Sequence, residues 1–110
     1  MVNRTDLNAA LKTVVPNVYY QPSATTNIRY PAIVYTRNDT LQDHGSNNVH
    51  MRFVGYQLLI MDTKPTDPIV DKVLNELPYT TFQNGYISGG VYHTAIQIYT
   101  QYLTEDITNA

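Results

Sequence analysis

Residues 51–77 decide the fold, and they read MRFVGYQLLIMDTKPTDPIVDKVLNEL. Residues 51–63 predict one long strand, because apolar side chains occupy both of its alternating faces near Ile60. Two apolar faces predict a central strand that is covered on two sides. Gly55 lacks a side chain and predicts a bulge or the close approach of a neighbouring strand.

A short amphipathic helix is predicted directly after this strand. Asp67 can cap the helix, and Pro68 at the first helical position removes no hydrogen bond that the helix needs. Pro78 ends the helix. Its apolar stripe consists of Ile69, Val70, Val73, Leu74 and Leu77. One apolar stripe predicts a helix that packs on a sheet.

The start of the chain predicts a second helix, over residues 6–14. Thr5 is the expected N-cap, Asp6 favours the positive end of the helix, and Pro16 stops it. Its single apolar face consists of Leu7, Ala10, Leu11 and Val14. Two strands are predicted next, at residues 18–20 and 32–37, separated by a polar connection.

A polar, turn-rich segment, NDTLQDHGSNN, occupies residues 38–48. It is longer than the about two to five residues of a hairpin loop, which predicts an extended loop between two strands. Long loops are usually functional or mobile, so a partner-contacting arm and a passive loop are both open. The candidate residues of a subunit or partner interface are Asp39, Thr40, Leu41, Gln42, Asp43, His44, Asn47 and Asn48.

The last third of the chain predicts two more strands. The first begins at residues 80–82, and Asn84-Gly85 is a strong hairpin-turn signal before the return strand. Residues 88–90 predict a bulge or a second turn. The final strand spans residues 91–103, and a loose polar tail is expected at residues 104–110.

These elements follow the order α-β-β-β-α-β-β, which predicts an α+β fold. We expect a mostly antiparallel sheet of four to five strands, with both helices packed on one face. A length of 110 residues suits one domain that spans residues 1–110.

Composition excludes several classes of function. No cysteine is present, so disulfides and thiolate metal sites are excluded. The net charge is −2 and the seven basic residues are scattered, which disfavours tight sequence-specific nucleic-acid binding. Ten tyrosines suit half-buried strands or a protein interface. No apolar run has the length of a signal peptide or a membrane span, so we expect a soluble protein made in a cytoplasm.

Catalytic patterns are weak throughout the sequence. No two of the histidines at positions 44, 50 and 93 have the spacing of a helical metal site, and His93 is better explained as a strand residue with a satisfied hydrogen bond. Ser46, His44 and Asp43 form a conceivable triad, but sequence neighbours in a loop hold such groups poorly in register. Phosphate-binding glycine loops are absent. We therefore predict no enzyme, no metal and no cofactor.

The chain resembles the tail terminators of long-tailed bacteriophages, also called tail-completion or tail-to-head joining proteins. The resemblance covers about residues 6–102 and rests on the order of elements and on apolar spacing. Its most specific segments are RYPAIVY at residues 29–35, the polar segment after it, YQLLIMDTKPTD at residues 56–67, and VYHTAIQIY at residues 91–99.

The resemblance implies a structural protein of the virion, assembled in the host cytoplasm. Such proteins form a ring, usually a hexamer, that caps the tail-tube protein, ends tube polymerisation and provides the joint to the head connector. DNA passes through the lumen without sequence-specific binding, and the family offers no catalytic residues. The alternatives are a head-completion or stopper protein of the neck, a small hydrolase or metal-dependent enzyme, and a module that binds single-stranded nucleic acid by tyrosine stacking.

Overall fold

The computed structural model describes the backbone of residues 4–45 and 48–103, and within these the side chains of residues 4–40 and 53–100. Its two helices and five strands confirm the α+β fold and the predicted order. The elements are α1 (Arg4–Lys12), β1 (Asn17–Tyr20), β2 (Ala32–Gly45), β3 (Asn48–Asp62), α2 (Asp67–Glu76), β4 (Thr80–Ser88) and β5 (Val91–Leu103).

The five strands form a single sheet in the order β1-β2-β3-β5-β4. β1 runs parallel to β2, and the other neighbours are antiparallel. β3 therefore lies at the centre, as its apolar sequence predicts. β1 and β4 are the two edge strands.

One face of the sheet carries the hydrophobic core. Cross-strand pairing aligns Tyr35 with Leu58, and Leu58 with Ile96, so these side chains project from the same face. Leu7 of α1 and Val73 of α2 are fully buried in the same cluster. Both helices therefore pack on this face, as predicted. Burial of each such aliphatic side chain contributes about 1.5–3 kcal/mol. The other face of β3, which includes half-buried Leu59, has no helix over it among the described residues, so the expected second cover is not provided.

Three tyrosines attach α1 to the sheet. The rings of Tyr20 and Tyr35 are 4.9 Å apart, and Tyr56 meets Tyr35 edge-on at 5.9 Å. The Tyr35 hydroxyl donates a hydrogen bond to Asn8 Oδ1 at 2.9 Å. The Arg4 guanidinium lies 4.4 Å from the centre of the Tyr20 ring. These tyrosines act in packing within the chain.

Both helices begin differently from the prediction. α1 starts at Arg4, so Thr5 lies inside its first turn and is not the N-cap. Thr66 is the N-cap residue of α2 and Asp67 is its first helical residue, so Asp67 does not cap. The Thr66 side chain makes no capping bond; it is buried and its hydroxyl lies 2.8 Å from that of Thr94. Thr66 therefore ties the start of α2 to β5.

The predicted turn at Asn84-Gly85 is wrong. β4 continues through both residues to Ser88, which pairs with Val91, and Gly89-Gly90 form the two-residue turn. The φ values of these glycines are 59° and 77°, and two successive left-handed residues are what a tight hairpin turn of this class requires. Next to Asn84, β4 shows a register shift relative to β5, between Phe82 and Asn84, rather than a turn.

We predict that Gly89→Ala and Gly90→Ala each lower the free energy of unfolding by about 1–2 kcal/mol, because a Cβ strains a left-handed backbone. No atom lies within 4 Å of a Cβ built at either position, so steric clash does not contribute to the expected loss of stability. Urea unfolding measures the effect. Gly90→Asn is the control and should lose less, since asparagine tolerates this conformation. An alanine variant as stable as the wild type would contradict the turn.

Candidate assembly interface

The described residues of the polar segment, 38–45 and 48, belong to a projecting pair of strands. β2 and β3 stay paired from Asp39↔Gly55 to Gly45↔Asn48, so the predicted extended loop is wrong. The error arose because the polar composition of this segment suggested a loop, whereas residues 39–45 pair with β3 along one side. β5 accompanies β3 as far as the pair Met51↔Leu103. We call residues 39–45, 48–55 and 99–103 together the arm.

The arm makes the molecule elongated, with extents of 51 × 27 × 22 Å. The candidate interface residues fall along it. Asp39 and Thr40 lie at its root with exposed side chains. The structure describes the backbone of Leu41, Gln42, Asp43, His44 and Asn48, which lie in the paired strands, and Asn47 lies outside the described residues. The seven predicted residues that the structure describes thus lie on two paired strands, β2 and β3.

A close approach of strands fixes the root of the arm. Gly55 pairs with Asp39, and the register shift beside Asn38 marks a bulge at this point. A Cβ on Gly55 would lie 2.7 Å from Gln97 Nε2 and 2.9 Å from both Asp39 Cβ and Tyr99 Cε1. The expected close approach at Gly55 is therefore confirmed, whereas the bulge lies in the neighbouring strand at Asn38.

Two polar pairs lock the bulge to β5. The Asn38 and Gln97 amides bond reciprocally: Asn38 Nδ2 donates to Gln97 Oε1 at 2.8 Å, and Gln97 Nε2 donates to Asn38 Oδ1 at 3.0 Å. The Tyr99 hydroxyl donates to Asp39 Oδ2 at 2.9 Å. This hydrogen bond, with smaller contributions from desolvation and from the carboxylate charge, raises the pKa of Tyr99 above its usual value.

We predict that Gly55→Ala lowers the free energy of unfolding by about 1–3 kcal/mol, because the added methyl displaces the Gln97 and Tyr99 side chains. Urea unfolding measures the change. The matched control is Gly85→Ala on β4, where the nearest atom to a Cβ is the His93 carbonyl oxygen at 3.4 Å. A smaller loss is expected there. Equal effects at Gly55 and Gly85 would show that the close approach is absent.

The Tyr99–Asp39 pair predicts a pH dependence above the ordinary tyrosine pKa of about 10. The folded-state pKa is raised, so the stabilisation is complete below the unfolded pKa and is lost as pH rises through the folded one. The free energy of unfolding of the wild type should therefore fall more steeply than that of Tyr99→Phe as pH rises above about 10. Unfolding curves measured over a pH series test this. Parallel pH profiles for the two proteins would refute it.

β4 is an open edge strand. Its residues from Thr81 to Ser88 are all exposed, including Phe82 and Ile87, which are 53% and 63% exposed. Edge strands usually carry charges or proline that discourage pairing, and β4 has neither. Sequence reasoning predicted a strand beginning at residues 80–82 but did not identify it as an open edge that continues to Ser88. The available signal was that no Asp, Glu, Lys or Arg occurs between Glu76 and Glu105.

A cleft of about 520 Å³ opens between β4 and the start of α2. Phe82 and Ile87 line it from β4, and Pro65 and Thr66 line it from the other wall. Its lining is mainly apolar, and the hydroxyls of Thr66 and Thr94 are already bonded to each other. The cleft therefore suits an apolar side chain more than a polar substrate.

Catalytic groups are sparse in the part of the chain that the structure describes. His93 lies on β5 as predicted: its Nδ1 is 2.9 Å from the Val91 carbonyl oxygen, and its ring stacks on Tyr86 at 4.6 Å. The side chains of His44, His50 and Asp43 and the whole of Ser46 lie outside the described residues. Within the described residues, no group of three His, Cys, Asp or Glu side chains could hold a metal ion.

No helix in the described ranges is both long and apolar enough to cross a membrane. A scan against protein-family models finds no match for this chain, and a search of curated proteins finds none that is similar.

Proposed function

We propose that this chain is a structural virion protein of the tail-terminator type. It forms a ring on the end of a phage tail tube, ends polymerisation of the tail-tube protein and provides the joint to the head connector. The observation that carries this proposal is the arm, a sheet extension that leads away from the two helices. The sequence resemblance at residues 29–35, 56–67 and 91–99 supports it independently.

The arm supports a role in assembly because its paired strands extend beyond the hydrophobic core that the structure describes. Among the described side chains, the buried cluster reaches no further along β3 than Val54, and the paired strands continue beyond it to Gly45 and Asn48. No described helix lies over this extension, and projecting segments of this kind commonly carry contacts to partners. A closed ring needs two different patches on each subunit, and the arm supplies one of them.

The face of the sheet opposite the helices, which we call the open face, suits a lumen for DNA. Its exposed side chains are mainly amides and hydroxyls, such as Thr36, Gln57 and Gln83, and Gln57 Nε2 donates to Gln83 Oε1 at 3.1 Å. Among the sheet residues on this face whose side chains the structure describes, Asp39 alone carries a formal charge at neutral pH. Tight binding of DNA phosphates requires lysine or arginine. DNA would therefore slide past this face without being held.

The proposal is tested by capping of tail tubes with a shortened arm. In the variant, residues 43–51 are replaced by Asn-Gly, which joins the paired residues Gln42 and Arg52 through a two-residue turn. We expect the variant to fold with an unchanged core and to lose tube-end binding, because the partner-contacting hairpin is gone. Negative-stain images of tube ends and the distribution of tube lengths measure capping.

Gly89→Asn is the matched control, since it alters the opposite hairpin and keeps its turn type. Normal capping by the shortened-arm variant would contradict the role of the arm. A wild-type protein that ignores tubes but binds a head connector would instead favour the neck protein.

A further inference from the structure

The sheet has two long unpaired edges on opposite sides. One is β4, with nine residues. The other belongs to β2: β1 pairs with four of its 14 residues, Ala32 to Tyr35, and no described strand lies beside the remaining ten at 36–45. Unpaired strand edges present rows of free N–H and C=O groups that pair with another extended chain.

The β4 edge combines an unpaired backbone with exposed apolar side chains, and a single partner strand would cover both. Its backbone has no neighbour beyond β5 in the described sheet, and its side chains Phe82 and Ile87 stand exposed beside the apolar cleft. A strand laid along β4 would bond to the backbone and cover both side chains at once. A globular partner docking in the cleft would leave the backbone groups unpaired.

We infer that β4 of one copy of this chain pairs with the 36–45 edge of β2 in the next copy. The lengths match, at nine and ten residues. β4 carries no charge, so it meets Arg37 and Asp39 without like-charge repulsion. β2 and β4 run in opposite directions within one sheet, so copies in the same orientation join antiparallel.

The pairing is heterologous, because two different edges meet and each copy keeps one of each. Such contacts repeat from copy to copy until a ring closes. This inference rests on the proposed ring and identifies its joint. Pairing of β4 with β4 would instead give a two-fold dimer and leave no edge for a third copy.

Cysteine cross-linking tests the joint, since the chain has no cysteine of its own. Antiparallel pairing brings Thr36 and Ser88 near each other across the joint, and both are exposed. Within one copy the strands that carry them are three strand spacings apart, about 14 Å, beyond the about 7 Å that a disulfide spans. We expect Thr36→Cys/Ser88→Cys to give a ladder of covalent dimers, trimers and larger rings on denaturing gels, with oxidation or a short bismaleimide.

Single-cysteine proteins distinguish the partner. Ser88→Cys alone should remain monomeric on the gel. Dimers from Ser88→Cys alone would indicate β4–β4 pairing and overturn the inference. No ladder from the double variant at any concentration up to the solubility limit would overturn it as well.

Charge placed on the edge provides a second test. Phe82→Lys/Ile87→Lys should fold, because both side chains are more than half exposed, and should weaken self-association at least tenfold in sedimentation. The control Ala24→Lys/Asn27→Lys adds the same charge at exposed positions of the β1–β2 connection and should associate normally. Unchanged association of the edge variant would refute the joint.

The two proposals fail in different ways. Tube capping without the cross-linked ladder would overturn the joint and leave the tail-terminator function standing. A cross-linked ring that never binds tube ends would leave the joint standing and overturn the function.

Discussion

Burial of one sheet face beneath two helices is the constraint on which the rest of the structure depends. Tyr35, Leu58 and Ile96 are cross-strand neighbours on three strands, and they belong to the buried cluster that includes residues of both helices. A shift of one residue in any strand would turn its apolar side chains to solvent, so these cross-strand neighbours fix the register of the whole sheet. Since α1 and α2 occupy that face, the open face and the two edges become the surfaces available to partners.

The same constraint explains why the arm exists. The core that the structure describes reaches Val54 on β3, and β3 and β5 stay paired beyond it to Met51 and Leu103. At the transition, Gly55 lets the strands approach closely, and the Asn38–Gln97 and Asp39–Tyr99 pairs hold the bulge. The arm is therefore continuous with the sheet. A projecting arm, an uncharged edge and an open face are the features on which we base the proposed role in assembly.

The sequence predicted those elements that depend on short stretches of neighbouring residues. The stripes of both helices, the central place of β3 and the special role of Gly55 follow from apolar spacing and from the missing side chain. The hairpin at residues 38–48 could not be predicted this way, because its polar residues form strands through pairing with β3. The turn prediction at Asn84-Gly85 failed for a related reason. Pairing with β5 keeps these two residues within β4, and the turn forms instead at Gly89-Gly90, whose backbone is left-handed.

Sequence reasoning likewise identified one part of the candidate interface and missed another part. Asp39 and Thr40 were identified from composition and do lie at the root of the arm, whereas the β4 edge was not identified because an edge can be recognised only once the strand order is known.

The most direct measurement of the central claim is the mass of the purified protein by light scattering, with and without tail tubes, followed by imaging. The account predicts a ring of an integral number of copies, seated on tube ends when tubes are present. A monomer at all concentrations that leaves tube ends bare would contradict it.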